Sequence, residues 1–251
     1  MKNTLSIIII LLISILKAQN PADLDNSFNI GAGFDNLAGG GIFALHALEN
    51  GKILAGGYFN EFNGQEEHFL IRLNEDGSKD SSFHSFSDLE GVNYPLGLIV
   101  QPDGKILVWG MFYITGVQNH RNIIRLNPDG STDESFHLDN SLYPNVVRQI
   151  KLLPNGQFIV AGEFYLNNTS KKVIKLNSDG SNDNSFEFEE GYPTFSNNYR
   201  IDVQSDGKIL AAHISSDPNV YYGLFRVNSD GSEDITFNDL HLVMINFKVL
   251  P

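Results

Sequence analysis

The sequence predicts an all-β fold built from repeated units of antiparallel strands, and two recurring motifs carry this prediction. The eleven-residue stretch LNPDGSTDESF returns in altered form, so that four copies span 73–83, 126–136, 176–186 and 227–237. A second motif with a turn glycine lies before each copy, and its glycines are Gly51, Gly104, Gly156 and Gly207. Two motifs that keep the same phase over roughly 50 residues indicate a repeated fold unit.

The first half of each unit reads as two strands, a and b, joined by a tight turn. Apolar residues alternate before the turn, as at Ile150 and Leu152, which is typical of a half-buried strand. An Asp-Gly or Asn-Gly pair then predicts a hairpin, because these residues tolerate positive φ. The run that follows, such as KILVWGMF (105–112), is apolar on both faces, so strand b is expected to lie buried between neighbouring units.

The second half of each unit reads as strands c and d. Strand c carries runs such as NIIRLN (122–127) and ends at the DGS turn, and strand d is expected to hold the short DESF-type segment. The closing phenylalanines, Phe83, Phe136, Phe186 and Phe237, are expected to wedge between adjacent units. Four antiparallel strands in about 50 residues are typical of one blade of a β-propeller.

Both ends of the chain carry partial copies of the repeat. LDNSF (24–28) reads as a lone strand d, and FKVLP (247–251) matches the beginning of a fifth strand a. The sequence therefore predicts a β-propeller-type protein with about four complete blades that is incomplete because it is truncated at its C-terminus.

The two motifs together resemble the delta-60 repeat family of exported bacterial proteins, and the resemblance covers Leu24 to Pro251. It implies a β-propeller-type fold and an exported, surface-associated protein, and it brings no catalytic residue. The fourth copy departs from the family pattern, because Ala211, Ala212 and His213 replace the usual glycine-rich step.

Residues 1–19 are expected to form a signal peptide, which leaves 20–251 as the repeat domain. Lys2 precedes an apolar run from Leu5 to Leu16, and Ala18 is a small residue suited to cleavage. The run is shorter than the roughly 20 residues of a membrane span. The alternative is a retained N-terminal anchor. The chain has no cysteine, so an exported domain would have no disulfides.

The charge of the chain is strongly negative, at −13 overall. Phosphate-binding surfaces need clustered Lys and Arg, so nucleic acid is not an expected partner. Anionic membranes are disfavoured for the same reason, and no membrane insertion is expected once the signal is removed. The expected partner is an extracellular protein or glycan, and no cofactor motif is present.

The DGS turns offer carboxylates at fixed spacing, which raises the possibility of calcium. The candidate ligands are Asp76, Asp80, Asp129, Asp133, Asp179, Asp183, Asp230 and Asp234. A calcium loop also needs an acidic residue two positions before the Asn and a Glu near its end, and neither is present. The favoured interpretation is an Asx-stabilised turn whose second Asp pairs with a nearby Arg or Lys. The seven histidines have no zinc-ligand spacing.

The loops at the other end of the blades vary between copies, and binding sites usually lie in such loops. The d–a loops are expected to carry a ring of tyrosines at Tyr94, Tyr143 and Tyr192, each followed by Pro, and Tyr113 and Tyr165 are expected to open the b–c loops. These rings could stack on sugars or hold a peptide. The alternative is that each Tyr packs over the edge of its blade.

Three functions remain open from the sequence. The main hypothesis is an exported, non-enzymatic interaction module that binds protein or glycan through the long-loop face. The alternatives are a glycan-active hydrolase or lyase, using carboxylates such as Glu163, Glu189 or Glu190, and a purely structural spacer of a surface adhesin.

Overall fold

The computed structural model describes residues 25–35, 40–84, 89–114, 121–188, 199–213, 222–237 and 240–242, and all regular structure in these ranges is β. The proposed signal peptide, Tyr192, Glu189 and Glu190 lie outside them. No helix in these ranges is long and apolar enough to cross a membrane.

Sixteen strands follow one another in these ranges. In chain order they are β1 (Phe34–Asp35), β2 (Gly41–Ala47), β3 (Ile53–Tyr58), β4 (Glu61–Phe62), β5 (Gln65–Glu66), β6 (Leu70–Leu73), β7 (Leu89–Val100), β8 (Ile106–Ile114), β9 (Arg121–Leu126), β10 (Leu142–Leu152), β11 (Phe158–Leu166), β12 (Thr169–Leu176), β13 (Tyr199–Val203), β14 (Ile209–His213), β15 (Tyr222–Val227) and β16 (Leu240–Leu242).

The strands form four successive antiparallel sheets, which are the predicted blades. Blade 1 is β2–β3–β6, blade 2 is β7–β8–β9, blade 3 is β10–β11–β12 and blade 4 is β13–β14–β15–β16. The first three strands of each blade are the predicted strands a, b and c. A small extra sheet, β1–β4–β5, attaches the N-terminal segment to blade 1. In the described ranges no strand of blade 4 pairs with blade 1, so the fold is an incomplete propeller.

The a–b turns have the predicted tight geometry. In blade 2 the Gln101 N–H donates to the Lys105 carbonyl at 2.8 Å, and the Gly104 N–H donates to the Gln101 carbonyl at 2.9 Å. Gly104 has a φ of +83°. A turn that ends in a left-handed glycine is a common way to close a short hairpin.

The DESF-type segments differ from the prediction, because they form turns and not strands. The Phe136 N–H donates to the Asp133 carbonyl at 3.1 Å, which closes a β-turn directly after the isolated bridge between Leu126 and Thr132. The Asp133 carboxylate accepts the Ser135 N–H, and such local bonds compete with a sheet ladder. Within the described ranges a fourth strand occurs in blade 4, where β16 follows the turn and pairs with β15.

The Tyr-Pro pairs also differ from the prediction, because two of them lie in strands and not in loops. Tyr94-Pro95 lies in β7 and Tyr143-Pro144 lies in β10, and both strands shift register at these residues. A β-bulge leaves a residue without a ladder bond, so it tolerates proline, which has no N–H to donate. Tyr113 and Tyr165 likewise lie within β8 and β11 and do not open loops.

In blades 1 to 3 strand b is buried on both faces, as predicted, and forms the core between blades. Ile106 and Val108 pack against Leu54 of blade 1, and the alternate residues Leu107 and Trp109 pack toward blade 3. Burial of each large aliphatic side chain contributes about 2 kcal/mol. The stability of each blade therefore depends on its neighbours.

The predicted interblade role is confirmed for three of the four closing phenylalanines. Phe83 is buried between blades 1 and 2, Phe136 between blades 2 and 3, and Phe186 between blades 3 and 4. Phe237 is half-buried, and its ring lies 4.8 Å from the Arg226 guanidinium.

The altered step of the fourth copy has a structural explanation. A Cβ at Gly110 would lie 2.3 Å from the Tyr94 carbonyl oxygen, and one at Gly162 would lie 2.1 Å from that of Val146, because strand a bulges toward these glycines. In blade 4 His213 pairs with Tyr199 in a ladder without a register shift. A regular ladder brings no backbone so close, so a side chain is tolerated there.

Candidate functional site

The DGS turn is built by hydrogen bonds within the repeat. In the second copy the Asn127 N–H donates to the Ser131 carbonyl at 2.8 Å, and the Gly130 N–H donates back to the Asn127 carbonyl at 2.9 Å. The Asp129 Oδ1 accepts the Ser131 N–H at 3.0 Å and the Ser131 hydroxyl at 2.7 Å. This is an Asx turn, in which the carboxylate stabilises the bend of its own backbone.

The second aspartate of each copy forms an ion pair with a basic side chain of its own repeat. The Asp133 Oδ2 accepts hydrogen bonds from Arg125 Nε at 2.6 Å and Lys105 Nζ at 2.9 Å, and its Oδ1 accepts both Ser135 donors. Burial raises the pKa of the Asp133 carboxyl, but the hydrogen bonds from Lys105, Ser135 and Arg125 outweigh burial and hold this pKa well below its usual range. The carboxylate therefore stays ionised across the physiological range.

The same turn joins each blade to the next. Arg125 Nη1 donates to the Ser178 carbonyl of the following repeat at 2.5 Å, and its guanidinium lies 4.8 Å from the Phe136 ring centroid. The residue after that phenylalanine, His137, donates its N–H to the Asp179 carbonyl at 2.8 Å. We call this arrangement the interblade joint. Equivalent backbone bonds connect His84 to Asp129 and Glu187 to Asp230.

These contacts occupy the carboxylates that the sequence proposed for calcium. Asp80, Asp133, Asp183 and Asp234 each pair with an Arg or Lys of their own repeat. Groups of three or more His, Asp or Glu side chains suited to a metal ion are absent from the described ranges. Calcium binding by the turns stays a prediction that a titration of the melting temperature can decide.

The opposite end of the blades carries aromatic side chains and one methionine, all exposed or half-buried, and we call this set the aromatic end. It consists of Phe43, Tyr58, Tyr94, Met111, Tyr143 and Tyr165, which lie where the strands a begin and the strands b finish. Antiparallel pairing brings these strand ends to the same edge of each blade.

The part of the aromatic end at blades 1 and 2 is a contact cluster. The Tyr94 ring centroid lies 5.4 Å from that of Phe43 and 5.9 Å from that of Tyr58. The Tyr94 hydroxyl donates to the Met111 sulfur at 3.5 Å. Tyr94 is half-buried by these contacts, whereas Phe43 is 53% exposed. Tyr94 therefore serves as the base of the cluster, and Phe43 is its accessible ring.

The part at blade 3 is a pair of accessible tyrosines. Tyr143 and Tyr165 are directly opposite each other across β10 and β11, which places them on the same face of the sheet. They are 47% and 43% exposed. Two neighbouring phenol rings on one face form an amphipathic surface that suits a ligand with both apolar and polar groups.

A buried asparagine holds the backbone of this pair. Asn122 has a φ of +63° and is 9% exposed. Its Nδ2 donates to the carbonyls of Pro144 and Asn145 at 2.9 Å each, and its Oδ1 accepts the Phe112 N–H at 2.7 Å. Asn122 thus ties strand c of blade 2 to the bulge of blade 3 that follows Tyr143.

Of the five predicted tyrosines, the structure brings Tyr143 and Tyr165 together, while Tyr94 lies in the separate cluster at blades 1 and 2. Tyr113 lies in β8 at the same end, opposite Glu90, but its side chain is outside the described part of the chain, and so is the whole of Tyr192. Glu163, the carboxylate considered for catalysis, accepts a hydrogen bond from Asn145 Nδ2 at 2.9 Å.

Sequence reasoning missed three members of the aromatic end, Phe43, Tyr58 and Met111. A signal for two of them was present, because Tyr58, Met111 and Glu163 occupy one position of the repeat, directly before a phenylalanine that recurs. A position that varies between invariant neighbours is typical of an exposed, functional place. Phe43 carried no such signal.

Three segments of the chain, 48–83, 101–136 and 153–186, match the family described as "Domain of unknown function (DUF5122) beta-propeller". Each match begins near an a–b turn and ends at a closing phenylalanine, so it covers strands b and c together with the DGS turn. The matched family thus describes the repeat and not a reaction.

The chain is also similar to one curated protein, the probable serine/threonine-protein kinase gdt4 of Dictyostelium discoideum. The identity is 31% over 99 residues, which cover 38% of this chain and 6% of that protein. The chain therefore spans a small fraction of the length of this relative.

Among solved structures, a catalytically inactive virginiamycin B lyase from Staphylococcus aureus with quinupristin is similar, with a TM-score of 0.51 and 15% identity. The likeness covers 85% of this chain and 59% of the lyase, so the chain spans less than two thirds of it. A putative gluconolactonase has a TM-score of 0.37 at 15% identity and covers 76% of each chain. At these identities the likeness to the lyase shows the fold alone. Together the repeat matches and the fold show an all-β, propeller-type repeat architecture.

Proposed function

We propose that the protein is an exported, non-enzymatic interaction module that binds a protein or glycan through its aromatic end, and that its repeats are of the delta-60 type. The observation that carries the proposal is the Tyr143–Tyr165 pair, two exposed rings on one face of blade 3. Exposed aromatic side chains are enriched at binding surfaces because they offer a large apolar area and a polar tip.

The contrast between the two ends of the blades supports this choice. At the DGS end the charged side chains are used in interblade joints, and the sequence repeats because the joints repeat. At the aromatic end the equivalent position changes from Tyr58 to Met111 to Glu163. A variable position in an otherwise constant repeat is more typical of a surface that recognises a partner than of a position that stabilises the fold.

The proposal is tested on arrays of glycans and extracellular proteins. The double variant Tyr143→Ala/Tyr165→Ala should bind at least about tenfold more weakly, since a loss of about 1.4 kcal/mol corresponds to a factor of ten. Ile235→Ala is the matched control, because Ile235 is 86% exposed at the opposite end. Absence of any binding, or binding that is indifferent to the tyrosines, would refute the proposed role.

The same arrays test the enzymatic alternative. The likeness to a lyase shows a shared fold and does not bring its activity to this chain. Cleavage of a bound glycan, detected by mass spectrometry of the released products, would overturn the non-enzymatic part of the proposal. Loss of that cleavage in Glu163→Gln would then assign it to the aromatic end.

The export part of the proposal is tested separately. Expression with the native N-terminus should yield a secreted protein whose first residue is Gln19 or Asn20, as read by N-terminal mass spectrometry. A retained, membrane-bound protein that still begins at Met1 would favour the anchor alternative.

A further inference from the structure

The Tyr143–Tyr165 pair continues into a polar pair on the same blade. Asn145 Nδ2 donates to Glu163 Oε2 at 2.9 Å, and this hydrogen bond is exposed. Asn145 follows Tyr143 by two residues on β10, and Glu163 precedes Tyr165 by two residues on β11, with a buried residue between them in each case. Residues two apart on a strand lie on one face of the sheet. We call these four residues the blade 3 platform.

The platform is held in place from behind. Pro144 and Phe164, the residues that separate its members along the two strands, are both buried. Asn122, itself buried, donates from Nδ2 to the carbonyls of Pro144 and Asn145. A surface that is ordered before it binds loses little conformational freedom on binding. The rings and the polar pair are therefore pre-organised for a ligand.

The platform presents side chains and not backbone groups to a ligand. It lies on the face of the sheet, whereas the backbone N–H and C=O groups of β10 and β11 point within the plane of the sheet, where the two strands pair. A peptide that binds as an added strand gains its affinity from such backbone groups at a sheet edge. The platform instead suits a ligand that is recognised through its own faces and polar substituents.

The chemistry of these side chains matches that of a sugar. Phenol rings offer flat apolar faces on which the C–H groups of a sugar ring can stack, together with a polar tip. The Glu163 carboxylate accepts hydrogen bonds and the Asn145 amide both donates and accepts them, which suits adjacent sugar hydroxyls. Ser170, which is exposed and directly opposite Tyr165 on β12, adds a hydroxyl to the same row.

Charge narrows the class of sugar. The platform contains a carboxylate, and the chain has a formal charge of −13. An acidic or sulfated sugar stacked on the rings would place an anion beside Glu163, and like charges repel each other. A sugar without acidic groups meets no such repulsion, so the platform favours it.

Blades 1 and 2 do not repeat this arrangement. At the repeat position of Glu163 they carry Tyr58 and Met111. In blade 2 Tyr94 is directly opposite Met111 and donates its hydroxyl to the methionine sulfur. The position that holds a carboxylate in blade 3 therefore holds an aromatic ring or a thioether in blades 1 and 2. The platform is thus a property of blade 3 and not of the repeat.

We propose that the blade 3 platform binds a glycan free of acidic groups, with sugar rings stacked on Tyr143 and Tyr165 and sugar hydroxyls bonded to Asn145 and Glu163. This inference rests on the proposed function, which leaves protein and glycan open, and it assigns the class of ligand. Residues directly opposite each other on antiparallel strands have Cβ atoms about 5 Å apart, so the two rings form one continuous surface for a sugar chain.

Isothermal titration calorimetry of the full chain measures binding of defined oligosaccharides. Cellohexaose, mannohexaose and N-acetylchitohexaose are the neutral probes, and hexagalacturonate is the acidic probe. At least one neutral probe should bind, with the same affinity at about 0.05 M and about 0.5 M salt, because it has no charge to screen. Hexagalacturonate should not bind.

Variants of the platform assign the binding to its side chains. Tyr143→Ala and Tyr165→Ala should each weaken binding of the neutral probe about tenfold, because a stacking face is lost. Glu163→Gln should also weaken it about tenfold, because an ionised acceptor makes the stronger hydrogen bond. Ile235→Ala, at the opposite end of the blades, should bind like the wild type. A melting temperature equal to that of the wild type shows that each variant is folded.

The outcomes separate this inference from the proposed function. Binding of hexagalacturonate, or of members of a peptide array, through Tyr143 and Tyr165 would overturn the inference and leave the proposed function standing. Binding of a neutral probe that is indifferent to Glu163→Gln and to both tyrosine variants would overturn the inference as well. Absence of tyrosine-dependent binding to every glycan and peptide would overturn both.

Discussion

Gly130 has two separate reasons to be glycine. Its φ is +90°, a left-handed value that costs other residues about 1–2 kcal/mol. A Cβ at this residue would also lie 2.2 Å from the His84 carbonyl oxygen of the preceding repeat. Gly104 shares only the first reason, since the nearest atom to its Cβ position is the Pro128 Cγ at 3.3 Å. The DGS motif recurs because its glycine serves both the turn and the joint.

Gly130→Ala should therefore destabilise the protein much more than Gly104→Ala. We expect a loss of about 3–5 kcal/mol for Gly130→Ala, because strain and overpacking add, and about 1–2 kcal/mol for Gly104→Ala. Urea denaturation at pH 7 measures both. Equal losses in the two variants would contradict the interblade role of Gly130.

Asp133 gives the joint a defined pH dependence. The pKa of its carboxyl is lower in the folded protein than the unfolded value of 3.8, so the folded state binds fewer protons. The stability that the ionised carboxylate contributes is complete above pH 3.8 and is lost as the pH falls below that value toward the folded pKa. The pKa values of the Asp80 and Asp234 carboxyls are lowered in the same way, by hydrogen bonds from the equivalent Lys, Arg and hydroxyl side chains of their own repeats.

Asp133→Asn should lower the free energy of unfolding at pH 7 by about 2 kcal/mol, since it leaves two cations poorly paired. The difference from the wild type should shrink between pH 4 and pH 2. Urea denaturation at several pH values measures this, with the exposed neighbour Glu134→Gln as the control for a charge removed from the same turn. A difference that stays constant with pH would exclude the assigned role of the ionised carboxylate.

At the scale of the element, the sequence predicted strands a, b and c because each has a clear apolar pattern or a turn signal. It failed for the DESF segment, where alternation of polar and apolar residues suggests a strand but the Asp133 side chain captures the Ser135 N–H. It also failed for Tyr143-Pro144, since a bulge inside a strand has no reliable pattern in a single copy.

The packing between neighbouring strands could not be predicted from the sequence, for a different reason. Trp109 stands where the other blades carry Gly56 or Ala161. A Cβ at Gly97, opposite Trp109 on strand a, would lie 2.2 Å from the indole ring. A large residue on one strand is thus offset by a missing side chain on the next, and such compensation emerges only once the register is known.

The joint between blades 3 and 4 has a weaker ion pair than the joint between blades 2 and 3, and this yields a prediction. Lys175 occupies the place of Arg125, and it pairs with Asp183 at 3.3 Å. Lys175→Arg should gain a second donor aimed at the next repeat and a cation over Phe186, worth about 1 kcal/mol in stability. Arg125→Lys should lose a similar amount. Thermal unfolding measures both changes, and opposite signs are required.

At the scale of the whole molecule, the four blades form a one-dimensional array in which each blade is stabilised by its neighbours. The joint lies at one end of the blades and the aromatic end at the other, so the residues that hold the blades together are separated from the residues proposed to bind a partner. Substitutions of the exposed tyrosines are therefore expected to weaken binding without lowering stability. Substitutions in the joint are expected to lower stability without weakening binding directly.

Native-state hydrogen exchange tests the interblade joint most directly. The amides of Asn29, His84, His137 and Glu187 each donate to the aspartate carbonyl of a repeat other than their own. We expect these amides to exchange as slowly as those of strand b, and in Gly130→Ala we expect His84 to lose protection while Glu187 keeps it. Exchange of these amides at the rate of exposed turns in the wild type would contradict the account, because the DGS motif would then shape a turn without joining the blades.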